Sequence, residues 1–99
     1  FVLGLIVDLA QEYRVTSNRE SGLGRYDVVL EPYDKKAPAY VLEFKVRRKT
    51  EKDLSETVAA ALKQIHDKGY DTELIERSIP KGQIRHYGFA FEGKQVLIG

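Results

Sequence analysis

Apolar residues recur along this chain at two periods, one of three to four residues and one of two, and the change from one to the other marks out its elements. Phe1, Leu5 and Leu9, with Val2, Ile6 and Tyr13 interleaved, follow helical spacing and predict a helix to about Glu12 that covers one side of a sheet. Strand-like residues follow from Tyr13 to Ser17. The polar SNRESGLG segment, with turn glycines at Gly22 and Gly24, then brings the chain back into RYDVVL at 25–30. Pro32 and Pro38 bracket EPYDKKAP, a surface loop, because proline does not sit in the middle of a sheet. The strand AYVLEFKVR comes next. Asp53 with Glu56 three residues on starts a second helix, whose apolar face of Leu54, Val58, Ala61, Leu62 and Ile65 runs up to Gly69. A short helix over 71–78 stops at Pro80-Lys81-Gly82, and an alternating strand over 83–91 turns at Gly93-Lys94 into a last strand over 95–98.

The order is therefore α-β-β-β-α-β-β, an α/β (α+β) domain with a mixed sheet flanked by helices. The helical crossover between the strand at 39–47 and the strand at 83–91 makes those two parallel and right-handed.

Asp27, Glu43 and Lys45 are charged groups set inside otherwise apolar strand sequence. A buried charge costs several kcal/mol unless it is paired or bound to a metal, so the three call for an explanation. Side chains alternate along a strand: Val41, Glu43 and Lys45 share one face, and Leu42, Phe44 and Val46 the other. On the preceding strand Asp27 and Val29 oppose Tyr26, Val28 and Leu30, so pairing the two strands brings Asp27 beside Glu43 with the apolar face kept inward. Two acids and a lysine then meet on one patch. A hard cation such as Mg²⁺ takes oxygen ligands at about 2.0–2.1 Å, which Asp27, Glu43 and the backbone carbonyl of Phe44 can supply, leaving Lys45 to place positive charge on a phosphate or an attacking water.

An acid on one strand and an acid-x-lysine on the next, here Asp27 and Glu43-Phe44-Lys45, resembles the active site of the PD-(D/E)XK nuclease superfamily. The resemblance extends from SNRESGLGRYD through VLEFKV and ALKQIHDKGY to HYGFAFEGKQVLIG. In this form it is similar to the nuclease-type domain carried on the C-terminal side of AAA-type ATPases in bacteria. Tyr26 stands where the family's first proline would be. The resemblance implies a restriction-endonuclease-like core, Mg²⁺ or Mn²⁺ as cofactor, DNA as substrate, an ATPase domain as partner and a cytoplasmic location. Nucleases of the RecB-like branch carry a glutamine followed by a tyrosine after the E-x-K strand; Gln64 is similar and is expected at the site. Tyr70 lies six positions on rather than four, which favours a core role for it.

Glu20, near the turn end of the first hairpin, is the candidate third acid of the site, against a loop acid paired with Arg19 or Arg25. Glu12 reads as a solvated helix-end acid, His66 as a helix C-terminal cap and His86 as a satisfied core or edge histidine. The two histidines do not spell a transition-metal site.

Composition adds bounds. The chain has 99 residues, enough for one core over 1–99. Methionine is absent, position 1 included, and the chain opens inside an apolar pattern, so a C-terminal piece of a longer protein is expected. With no cysteine there is neither a disulfide framework nor a zinc-finger site. The longest apolar run, Phe1 to Val7, falls far short of the roughly 20 residues of a membrane span. Net charge is +1, which announces no nucleic-acid partner, but Lys45, Arg47, Arg48, Lys49 and Lys52 cluster just after the candidate site and suit a phosphate backbone.

The leading function is a metal-dependent nuclease that hydrolyses DNA phosphodiester bonds, with Lys45 as electrostatic stabiliser or as base. The alternative is a non-catalytic module of the same fold serving an attached ATPase. A purely structural reading makes Glu43 and Lys45 an ion pair on an exposed edge strand. A free strand edge could also pair two copies into a homodimer.

Overall fold

The structure is a computed structural model that describes residues 12–20 and 25–99, the side chains of Arg19, Glu20 and Arg25 excepted. The helix expected before Glu12 lies outside the described residues. Among them, strands β1 (Tyr13–Glu20), β2 (Arg25–Pro32) and β3 (Ala39–Val46) come first. Helices α1 (Leu54–Lys68) and α2 (Tyr70–Glu76) and a 3₁₀ turn (Lys81–Gln83) follow, then β4 (Ile84–Glu92) and β5 (Gln95–Ile98). The five strands form one sheet in the order β1-β2-β3-β4-β5. Only β3 and β4 are parallel, joined by the helical crossover; the other pairs are antiparallel. The mixed α+β class expected from the pattern is observed, and the short helix expected over 71–78 is present as α2.

Alternation on the central strands sorts the core into two layers. Val28, Leu30, Leu42 and Phe44 are buried on one face with Tyr13, and the Phe44 ring stacks at 4.5 Å on Tyr26 and at 4.7 Å on Phe89. This face carries an apolar groove lined by Tyr13, Leu30, Tyr40, Leu42, Tyr87 and Phe89. On the opposite face Ala39 and Val41 pack beneath Ile65 of α1 and Leu74 of α2, with Ile79 beyond. A slip of one residue in β3 would exchange Phe44 for Glu43 between these layers, so the aromatic stack pins the register that places the acid.

Local chemistry sets the ends of α1. Asp53, in extended conformation, accepts the Glu56 N–H at 3.1 Å, and the Glu56 carboxylate reaches back to the Lys52 N–H. Gly69 closes the helix at φ 66°, a left-handed conformation costly for a residue with a Cβ, and its N–H bonds the His66 carbonyl at 3.2 Å. Because α2 starts at the next residue, the break puts Lys68 and Tyr70 on either side of one sharp corner.

β1 runs to Glu20, three residues past the expected end at Ser17. Ser17, Asn18, Arg19 and Glu20 carry no apolar alternation, yet they pair in register with Val28, Asp27, Tyr26 and Arg25. Backbone pairing to β2 holds them as strand.

Candidate active site

Asp27 and Glu43 stand directly opposite each other on β2 and β3, both fully buried, on the face that α1 and α2 cover. The row continues through Asn18 on β1 and Gly88 on β4. Lys45, two residues on from Glu43, is also buried. Since β3 is the middle strand, the reading of Glu43 and Lys45 as an exposed edge pair is corrected: strand pairing on both sides and the helices above remove them from water.

Each buried charge has a named counter-charge. Lys68, in the last turn of α1, places Nζ 2.6 Å from Asp27 Oδ2 and 3.7 Å from Glu43 Oε1. The Asn18 amide donates to Asp27 Oδ1 at 3.2 Å. The Tyr70 hydroxyl lies beside the Asp27 carboxylate. Burial, then the neighbouring Asp27 carboxylate, push the Tyr70 phenol up to about 12, while Lys68 and Asn18 pull the other way. Tyr70 is thus half-buried against the core layer, as its apolar ring requires, but its polar end belongs to the acid pair.

Lys45 does not turn to Glu43. Its ammonium pairs with Glu51, in the loop between β3 and α1. The same carboxylate accepts the Arg48 N–H at 2.8 Å and the hydroxyl of Thr57, buried in the first turns of α1, at 3.0 Å. Burial raises the Glu51 carboxyl, but the Arg48 N–H, the Lys45 ammonium and the Thr57 hydroxyl outweigh it and hold it below the ordinary carboxylate range.

Gln64 is half-buried on α1, one helical turn before Lys68 and one after the fully buried Ala61, so the three share a stripe. Phe44 lies between the acid and the lysine, its ring in the aromatic layer. Glu20 is paired opposite Arg25 at the end of β1; its side chain lies outside the described residues. Glu12 is exposed beside the groove on the other face, away from the acids. His86 bonds Asp71 at 2.7 Å between β4 and α2. In the basic segment Arg47 pairs with Glu92 at 2.7 Å, and Arg48, Lys49 and Lys52 are exposed. A cleft between β1 and α2, lined by Arg14, Thr16, Asn18, Tyr70 and Arg77 among others, runs up to Asn18, which bonds Asp27, and to Tyr70 beside it.

The sequence reading did not single out Lys68, Glu51 or Asn18. Lys68 carried one signal, a cation four residues after Gln64 on the helix face turned to the sheet. Asn18 carried another once its strand register was known. Glu51 left no comparable trace in the sequence, since a loop acid next to Arg48 and Lys49 looks solvated.

A mixed sheet whose central strands present an acid and an acid-x-lysine to the helix-covered face defines a restriction-endonuclease-like domain. The family comparison agrees with that geometry: the model described as PD-(D/E)XK nuclease superfamily matches residues 1–99. The chain belongs to this superfamily. Neither the curated proteins nor the solved structures gave a significant match. Members of the superfamily are usually nucleases and usually use divalent metals. In this chain Asp27 and Glu43 are the groups able to hold such an ion. Their carboxylates address one point that a cation, the Lys68 ammonium, already reaches, and oxygen donors suit a hard divalent ion. Among the described residues no set of three or more acids or histidines converges in this way. No helix among them is long and apolar enough to cross a membrane.

Proposed function

We propose that this protein is a metal-dependent nuclease that hydrolyses DNA phosphodiester bonds. The observation that carries the reading is the buried, directly opposed pair Asp27 and Glu43 with Lys45 two residues further along the same face. Asp27, Glu43 and the Phe44 carbonyl would hold Mg²⁺ or Mn²⁺, which when bound polarises a phosphate and acidifies a water. Glu20 is the candidate third acid, and Gln64 lies on the helix stripe above the pair. Lys45 brings a positive charge to the phosphate as negative charge builds on its oxygens, and Glu51, itself held by the Thr57 hydroxyl and the Arg48 N–H, anchors its ammonium. Asn18 fixes the Asp27 carboxylate from the cleft side, with Tyr70 beside it. Arg48, Lys49 and Lys52 would meet the DNA backbone. The physiological setting we infer is the cytoplasm, with an AAA-type ATPase as partner.

One observation favours a second reading, a non-catalytic module of the same fold: Asp27 and Lys45 are each already closed into an ion pair. Cleavage of linear, circular and branched DNA with Mg²⁺ or Mn²⁺ separates the two. The nuclease cuts, and Glu43→Ala and Lys45→Ala each lower the rate at least about 100-fold with the circular dichroism spectrum kept. A wild type that binds DNA but cuts none of these substrates would establish the module instead.

A further inference from the structure

Lys68 stands at the point where a bound metal ion would have to be. Its Nζ lies 2.6 Å from an oxygen of Asp27 and 3.7 Å from an oxygen of Glu43, so one ammonium spans both carboxylates. Both acids are fully buried, whereas the Lys68 side chain keeps 19% of its surface exposed at the end of α1, next to the Gly69 corner. The acids are fixed by the two central strands. The lysine is a long, flexible stem that reaches them from the rim and can swing its charge back to water.

We propose that Lys68 is a resident counter-cation of the Asp27–Glu43 pair and that a divalent metal ion binds by displacing it. The proposal rests on the reading of this pair as a metal site. Geometry sets the two cations in competition. An ion about 2.1 Å from Asp27 Oδ2 would lie no more than about 4.7 Å from Nζ, which stands 2.6 Å from that same oxygen. A dication and an ammonium drawing on the same buried oxygens at that separation repel strongly in a medium poorer than water at screening charge. The exchange also explains how two acids can be buried side by side before metal arrives: the ammonium keeps them from facing each other as like charges. Its consequence is a metal affinity lower than the two carboxylates alone would give, because the ion must first find the site vacated.

Two measurements on the protein test this. In the first, wild-type protein is labelled with an amine-selective reagent in EDTA and at saturating Mn²⁺, with saturation set by calorimetry, and each lysine is read by peptide mass spectrometry. Exposed Lys63 on the same helix serves as the internal reference. Lys68 should gain label several-fold with metal while Lys63 stays constant; unchanged or reduced labelling of Lys68 at saturation overturns the proposal. The second is calorimetric titration of Lys68→Met with Mn²⁺, where affinity should rise at least about tenfold over wild type. Equal or weaker binding by the variant overturns the displacement and leaves the metal site standing. A wild type that binds no Mn²⁺ at all removes the metal site and this proposal together. The labelling arm needs no variant, so a failure of Lys68→Met to fold without metal does not protect the idea.

Discussion

At the scale of single residues the site is a pair of interlocked charge clusters rather than a bare motif. Asp27 and Glu43 share Lys68, and Lys45 belongs to Glu51. Glu51 therefore acts as a positioning residue for Lys45. Glu51→Gln keeps the shape and the bond to the Thr57 hydroxyl but removes the charge that anchors the ammonium. In the nuclease reading its cleavage rate should fall on the order of 10-fold to 100-fold, because a misplaced charge loses transition-state stabilisation. Metal affinity by calorimetry should stay at the wild-type value, since Lys45 and Glu51 are not ligands, and Glu51→Asp should recover part of the rate. A variant that loses metal binding as well would show that the two clusters are one. These details were hidden in the sequence for a physical reason. The E-x-K pattern fixes which face a side chain leaves from, but a lysine has four rotatable bonds, and the direction its ammonium takes depends on acids far along the chain.

At the scale of elements, legibility followed periodicity. The register of β2 on β3, which sets Asp27 against Glu43, was implied by apolar alternation on both strands, and the start and stop of α1 by Asp53 and Gly69. The polar end of β1 had no such pattern, so Asn18 was missed as an Asp27 partner. Close packing was equally silent. A Cβ at Gly88 would stand 3.0 Å from the Val58 carbonyl oxygen and 3.1 Å from the Ala61 Cβ, so α1 rests on β4 at backbone distance. Gly88 also exchanges two backbone hydrogen bonds with Gly99, at 2.9 and 3.0 Å, which extends the row that holds the two acids. Gly88→Ala should push α1 off the sheet and cost about 1–3 kcal/mol, read as a lower denaturant midpoint. Because Lys68 rides on the far end of the same helix, its contacts with Asp27 should loosen too. Gly82→Ala, with nothing near its Cβ, is the control and should leave the midpoint within error.

At the scale of the whole molecule, the helical layer is tied to the sheet by charge at a second place. Glu31, at the end of β2, accepts Arg77 at 2.7 Å, just past α2, and Lys35 at 3.4 Å. Burial raises the Glu31 carboxyl, but the hydrogen bonds and charges of Arg77 and Lys35 outweigh it and bring it below its ordinary value of 4.5. Glu51, in the other cluster, is lowered from the same value. A carboxyl lowered in the folded state binds its proton more readily in the unfolded chain. Its contribution to stability is therefore complete above pH 4.5 and is lost as the pH falls through the folded-state value. The protein should accordingly hold a level melting temperature down to the ordinary carboxyl range and lose it in acid. Glu31→Gln isolates one share of that loss. Near pH 7 it should melt about 2–5 °C below wild type, a modest shift because Arg77 is partly exposed and solvent screens the pair. The gap should narrow as the pH drops well below 4.5, where the wild-type carboxyl is itself protonated. Melting curves of both proteins from pH 7 to about pH 3 check this, and a gap that stays constant across the range would mean that Glu31 stabilises through shape and not through charge.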